Sequence, residues 1–128
     1  MATKISADVS TNIDITCRKG DNFYLVSTLT NSDNTIFDLS TYENAEFLVL
    51  NSNNNTVRKL YAGSASTSTE IFIYNAITLN ATTGQITIDV HGENMEIPEG
   101  NYIYNLKIMS TSPISVYTIL HGKFKVID

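Results

Sequence analysis

The sequence predicts an all-β protein, an antiparallel β-sandwich of Greek-key type with seven to eight strands. Apolar and polar residues alternate over several short runs, with the period of two that a half-buried strand requires. Asn, Thr and Ser together make up 42 of the 128 residues, a composition that suits short strands joined by many turns. No stretch has a convincing helical period, so the strands alone predict the fold class.

The chain begins with a polar segment that lacks this alternation. We interpret residues 1–12 as an amino-terminal arm, either disordered or held only by a neighbouring molecule, and residues 13–128 as a single sandwich domain. A domain of this length buries enough surface to fold without disulfides or metal ions.

The strands of this domain are separated by turns rich in Asn, Ser, Gly and Asp. Ile86, Ile88 and Val90 alternate cleanly with polar residues and mark the clearest strand with one solvated face. The Asn-rich residues 51–55 and the Ser/Thr-rich residues 63–69 are predicted to form loop tips. The predicted strands cover residues 13–18, 23–30, 45–50, 57–61, 70–78, 85–90, 102–108 and 115–127.

A Pro-x-Gly corner at Pro98 and Gly100 introduces the strand around which we expect the others to be arranged. Tyr102 and Tyr104 follow this corner, where a tyrosine hydroxyl commonly bonds back to the main chain. We therefore predict structural roles for both rings, on the same inward face as Leu106 and Ile108. In the last predicted strand, Gly122 is expected to mark a bulge or kink.

Charge and cysteine content narrow the possible partners. The net charge of −5 and the pI near 4.8 argue against nucleic acid, because phosphate binding depends on clustered Lys and Arg. The adjacent pairs Arg18–Lys19 and Arg58–Lys59 are expected to be solvated. Cys17 is alone and is predicted to be a small core residue. No secretory signal and no run of about 20 apolar residues is present, so we expect a soluble protein without a membrane partner.

No arrangement of residues indicates catalysis or a cofactor. His91 and His121 lack a compact metal-ligand spacing, and no Gly-x-Ser-x-Gly sequence activates a serine. Glu93, Glu96 and Glu99 could form a carboxylate pair beside a cleft, but a solvated acidic loop is the favoured interpretation. We therefore predict no enzyme, no catalytic or cofactor-binding residue and no metal site.

Four segments in this order resemble a known family: DITCRKGDNF (residues 14–23), FDLSTY (37–42), IPEGNYIYNL (97–106) and LHGKFKV (120–126). Together they resemble the immunoglobulin-like β-sandwich domain of tailed-bacteriophage virion proteins. That family includes auxiliary capsid and head-fibre proteins and the amino-terminal domains of upper baseplate proteins. The resemblance spans nearly the whole chain.

The resemblance implies a non-enzymatic structural protein of a bacteriophage virion, made in the host bacterial cytoplasm. Because the sequence ends at Asp128 without a stem or receptor-binding domain, we expect an auxiliary capsid protein, present in many copies and docked on the major capsid protein. A tail, baseplate or head-fibre attachment component is the first alternative. The second is a carbohydrate-binding adhesion module using Tyr61, Tyr74 or Tyr117. The predicted partner contacts are Lys4, Ile5, Tyr61 and Tyr74.

Overall fold

The computed structural model describes residues 2–6, 11–63, 69, 71–111 and 114–128. These residues form ten strands and one 3-10 helix, Gly92–Asn94. The strands are β1 (Ala2–Ser6), β2 (Thr11–Asn12), β3 (Ile15–Arg18), β4 (Phe23–Thr30), β5 (Asn44–Leu50), β6 (Thr56–Ala62), β7 (Phe72–Asn80), β8 (Gln85–Val90), β9 (Gly100–Thr111) and β10 (Ile114–Ile127). The predicted all-β class is confirmed.

The strands form one curled sheet whose inner face surrounds the core. Their order is β1-β4-β8-β7-β6-β5-β9-β10-β2, and β3 also pairs with β10. The sheet curls at β7, which pairs with β6 at Phe72, Ile73 and, after a register shift, Ile77, and which pairs with β8 from Ile77 onward. Between Ile73 and Ile77, Asn75 has a φ of 57°, and both Ala76 and Ile77 are buried. This local break in the alternation lets one strand contribute to both halves of the sandwich.

The sheet is mixed, whereas the sequence analysis expected antiparallel pairing throughout. Antiparallel pairs join β4 to β8, β5 to β6 and β9, β7 to β8, and β9 to β10. Parallel pairs join β1 to β4, β6 to β7, and β10 to both β2 and β3. Alternation along a strand identifies its buried face but carries no information on the direction of its neighbour.

Residues 1–12 were expected to contain no strand, and this expectation is corrected. The backbone of Ala2–Ser6 pairs in parallel with β4, and Thr11–Asn12 pairs with β10 at Leu120 and His121. The described strands therefore number ten instead of seven or eight. Backbone pairing with an existing strand does not require alternating side chains, which is why the sequence pattern missed these two. The division into an arm and one domain stays a prediction.

Four aromatic rings form the centre of the core. Phe47 is fully buried, and its ring stacks on Tyr104 with centroids 5.0 Å apart and planes at 19°. Phe23 and Phe124 contact Phe47 at 5.4 and 5.9 Å. Offset and edge-to-face contacts of this kind are favourable in addition to the buried area. The cluster joins β4, β5, β9 and β10.

The predicted irregularity of the last strand is present, but it precedes Gly122. The register between β9 and β10 shifts between Thr118 and Leu120, so Ile119 and Leu120 are both buried. Gly122 meets a different requirement, because a Cβ at this position would lie 2.3 Å from the carbonyl oxygen of Ile13. The segment between β2 and β3 therefore passes directly over a residue without a side chain.

The expectation that Arg58 is solvated is wrong, because its side chain lies inside the sandwich and only 7% of it is exposed. Its Nε donates to the carbonyl oxygen of Asn94 at 3.0 Å, Nη1 to that of Val57 at 2.9 Å, and Nη2 to that of Glu96 at 3.3 Å. Position 58 is opposite the buried Val49 and points inward with it. The guanidinium thereby holds the segment that follows the 3-10 helix against β6.

Candidate docking surface

The central strand β9 separates the core from an exposed face of the sheet. Tyr104, Leu106, Ile108 and Ser110 are buried, while the residues between them point outward. The hydroxyl of Tyr102 donates to the Pro98 carbonyl at 2.6 Å, and that of Tyr104 to the Ile13 carbonyl at 2.5 Å. The predicted structural roles of both tyrosines are confirmed. The Tyr104 ring is buried, whereas the Tyr102 ring is half-buried.

Burial also changes the acidity of Tyr104. Burial first, and the nearby Asp14 carboxylate second, raise the pKa of Tyr104 to about 12. Both effects disfavour the phenolate, and the bond to the Ile13 carbonyl requires the proton. The residue therefore supports the sandwich as a neutral donor.

Tyr61 and Tyr74, two of the predicted contact residues, form one aromatic cluster on the outer face. Their rings stack with centroids 4.7 Å apart and planes at 9°, and Phe72 contacts Tyr61 at 6.4 Å. The Lys59 ammonium lies 5.4 Å from the centre of the Tyr61 ring and 3.6 Å from a carboxylate oxygen of Glu46. Tyr61 and Tyr74 are each half-buried, while Phe72 is 39% exposed. Their role as partner contacts stays a prediction.

Lys4 and Ile5, the other two predicted contacts, lie on β1. Their backbones pair with Thr28 and Leu29 of β4, and β1 is the terminal strand of the sheet order. Two strands, β4 and β8, lie between β1 and β7, which carries Tyr74, and β6 with Tyr61 follows β7 in the order. The structure therefore does not make the two predicted pairs neighbours in the sheet, and the contact role of Lys4 and Ile5 also stays a prediction.

The outward positions of β9 and β10 carry exposed apolar side chains that the sequence analysis did not select. Ile103 is 49% exposed and Val116 is 56% exposed, with the half-buried Met109 opposite Val116. Two surface hollows flank Ile103 and Lys123. The first, of about 320 Å³, is also lined by side chains from residues 51–54, and the second, of about 560 Å³, is also lined by Asp14. The sequence did contain a signal for this face. Ile103 and Met109 are apolar residues at odd-numbered positions of β9, whose even-numbered positions form the core.

The residues considered for chemistry include three glutamates and a histidine at the surface. Glu93, Glu96, Glu99 and His91 are all exposed. Across the described ranges, no group of three or more His, Cys, Asp or Glu side chains could hold a metal ion. Cys17 is half-buried and packs against the core from β3, and burial, followed by the charge of Asp21, raises the pKa of its thiol. In the described part of the chain, no helix is long and apolar enough to cross a membrane.

Comparisons with known proteins give a similarity in structure and none in sequence. No protein-family model matches the chain, and a search of curated proteins finds no significant match. Among solved structures, the fold is similar to the N-terminal domain of ORF48 of phage TP901-1, with a TM-score of 0.59 and 8% identity over 100% of both chains. At this identity the similarity shows a shared fold.

Two weaker structural similarities were also found. The NK cell receptor NKp44 matches with a TM-score of 0.49 and 14% identity, over 92% of this chain and 100% of that one. A chain from a structure of T cell activation by the bacterial superantigen toxic shock syndrome toxin-1 matches with a TM-score of 0.47 and 9% identity, over 91% and 92%. The immunoglobulin-like character implied by the sequence resemblance stays a prediction.

Proposed function

We propose that this protein is a non-enzymatic structural component of a bacteriophage virion. The observation that carries the proposal is the fold similarity to a phage protein domain over the full length of both chains. The four sequence segments that resemble phage virion domains also support it. An exposed sheet face with apolar side chains supplies a surface for attachment to other proteins.

Within the virion, we propose an auxiliary capsid protein that docks on the major capsid protein. A capsid offers many identical sites, so an interface that is weak in one copy can still give stable coverage when neighbouring copies also touch each other. Such a protein needs a rigid sandwich and an accessible face, and it needs no catalytic residues.

A tail or baseplate attachment component is the second candidate. The similar phage structure is described as an N-terminal domain, which means that in ORF48 the fold is the first part of a longer protein. This favours a role in which the sandwich anchors another element to the particle.

Imaging of purified particles tests both positions. The phage that encodes this chain would be grown with the protein fused to a small tag, and particles would be examined by cryo-electron microscopy and immunogold labelling. We expect density that repeats over the capsid lattice. Density confined to the tail would support the second candidate, and absence of the protein from particles would overturn the virion proposal.

The carbohydrate-binding alternative depends on the stacked Tyr61 and Tyr74 rings, because sugar-binding proteins use aromatic faces as platforms. A glycan array decides it directly. Binding to a defined glycan that is lost in Tyr61→Ala and Tyr74→Ala, together with absence from particles, would establish this function in place of the virion role.

A further inference from the structure

The basic residues of this acidic chain are gathered on one face of the sheet. The outward positions of β3, β10, β9, β5 and β6, with the adjacent Asp14 and Glu43, form what we term the basic face. Glu43 belongs to it because its carboxylate accepts hydrogen bonds from the backbone nitrogen and the hydroxyl of Thr111 on β9. Five of the eight basic residues of the chain lie on it, and three acidic ones, so its formal charge is +2 while the whole chain carries −5. The basic members are Arg18, Lys59, Lys107, Lys123 and Lys125, and the acidic members are Asp14, Glu43 and Glu46.

The positive charge is concentrated along β3 and β10. Glu46 lies 3.6 Å from Lys59 and opposite Lys107 in the strand register, so it offsets the cations on that side. Arg18, Lys123 and Lys125 lie on the other side of the face and are all exposed. Asp14 accepts a hydrogen bond from the Lys123 backbone nitrogen at 3.0 Å.

Apolar side chains lie between these cations. Ile103 is opposite Lys123 across the β9–β10 pair and is 49% exposed, and the half-buried Leu50 is opposite Ile103 on β5. Hollows of about 320 and 560 Å³ flank the Ile103–Lys123 pair, so side chains of a partner could enter on either side. An apolar centre with a charged rim is the usual anatomy of a protein–protein interface.

We propose that the basic face is the docking surface of this protein and that its partner is an acidic protein surface bearing apolar side chains. This inference rests on the proposed virion function and names the surface and the partner chemistry for it. The five strands span about 19 Å across and the outward residues of β9 about 27 Å along the strand. The area they enclose, about 500 Å², is roughly two thirds of the ~800 Å² that each partner contributes to an ordinary interface, and it suits a weak contact repeated in many copies.

A protein partner fits the face better than nucleic acid does. A nucleic-acid groove needs many phosphate contacts from Lys and Arg, and the remainder of this chain carries a net charge of −7, which repels a polyanion. The exposed Ile103 and Val116 have no role in contacting a phosphate backbone, whereas a protein would bury them.

The test uses the full chain and particles assembled without it. Particles of the encoding phage, grown with this gene interrupted and treated with nuclease, are incubated with purified protein, and binding is followed by co-sedimentation and by biolayer interferometry. Lys123→Glu combined with Lys125→Glu should slow association at least tenfold at low salt and remove most of its salt dependence. Ile103→Asp should weaken binding roughly thirtyfold.

Two controls introduce the same new residues, Glu and Asp, at positions outside the basic face. Lys19→Glu reverses a charge in the turn after β3, and Tyr24→Asp places a carboxylate on an exposed strand position 54% open to solvent in β4. Both should bind within twofold of the wild type. All variants are compared by thermal unfolding, and single substitutions Lys123→Gln and Lys125→Gln replace the double variant if it unfolds early.

Three other results of the binding experiment would each overturn a different part of the proposal. Wild-type binding that is unchanged in the double variant and in Ile103→Asp overturns the basic face while leaving the virion function intact. Binding to a 20-base-pair duplex that is lost in the same variants overturns the protein partner in favour of nucleic acid. Wild-type protein that fails to bind any particle overturns the proposed function itself.

Discussion

Replacing Arg58 tests whether a buried guanidinium holds the segment after β8 in place. Arg58→Met keeps most of the volume of the side chain and removes every donor. The carbonyl groups of Asn94, Val57 and Glu96 then lose their partners, and Asn94 and Glu96 belong to the segment that includes the 3-10 helix. The same segment accepts a hydrogen bond from Gly20 through Met95, so its loosening should reach the turn after β3.

The magnitude follows from the geometry of the three bonds. Two of them, at 2.9 and 3.0 Å, have ordinary lengths, and the third, at 3.3 Å, is long. Hydrogen bonds from a charged donor contribute roughly 1.5–3 kcal/mol each, so loss of the two bonds of ordinary length should lower the free energy of unfolding by about 3–6 kcal/mol. Domains are stable by only about 5–15 kcal/mol, so this loss is a large fraction of the total.

Urea unfolding followed by circular dichroism measures the effect. With a slope of about 1.5 kcal/mol per molar urea, the midpoint should fall by about 2–4 M. Lys59→Met is the matched control, because Lys59 adjoins Arg58 but forms a partly exposed ion pair with Glu46, for which we expect a change below about 1 kcal/mol. Hydrogen exchange should show faster exchange at Met95 only in the Arg58 variant. Equal midpoints for the two variants would refute this account.

Three further predictions concern the packing of β3, β9 and β10. Gly122→Ala should lower the thermal midpoint, because the added Cβ would lie 2.3 Å from the Ile13 carbonyl oxygen. Gly100→Ala is the control and should have a far smaller effect, because Gly100 has nearly the same φ but the atom nearest to its added Cβ is 3.6 Å away. Similar midpoints for the two variants would contradict the close approach at Gly122. The pKa of Tyr104 is about 12 in the folded protein, so on raising the pH the tyrosine loses its proton first in the unfolded state. The free energy of unfolding should therefore fall as the pH rises from about 10 to 12, and the fall should be smaller in Tyr104→Phe. Burial raises the pKa of the Cys17 thiol, so maleimide should label native protein more slowly than urea-unfolded protein at pH 7; equal rates would show an open thiol.

The sequence predicted well those features that depend on one strand at a time. Tyr104, Leu106 and Ile108 are buried as the alternation of β9 indicated, and Ile86, Ile88 and Val90 are buried in the same way in β8. Side-chain direction alternates along any extended chain, so this information is present in a short window of residues. The corner at Pro98 likewise predicted the hydroxyl bond of Tyr102, which spans only four positions.

Expectations that depended on several strands at once were the ones that failed. Arg58 looked like half of a solvated basic pair, yet it faces inward opposite Val49 and bonds to carbonyls 36 and 38 positions away. The backbone of Ala2–Ser6 forms a strand through pairing with β4, which no alternation within residues 1–12 could indicate.

The sequence alone therefore determined the all-β class, the buried side of the main strands and the acidic net charge. Only the tertiary structure decided which strands are neighbours, in which direction they run and where the charges meet. Arg18 and Lys125 are separated by more than a hundred residues, and they share a face because β3 pairs with β10. The register between distant strands is set by the packing of the whole core, and for that reason the basic face could not be read from the order of the residues.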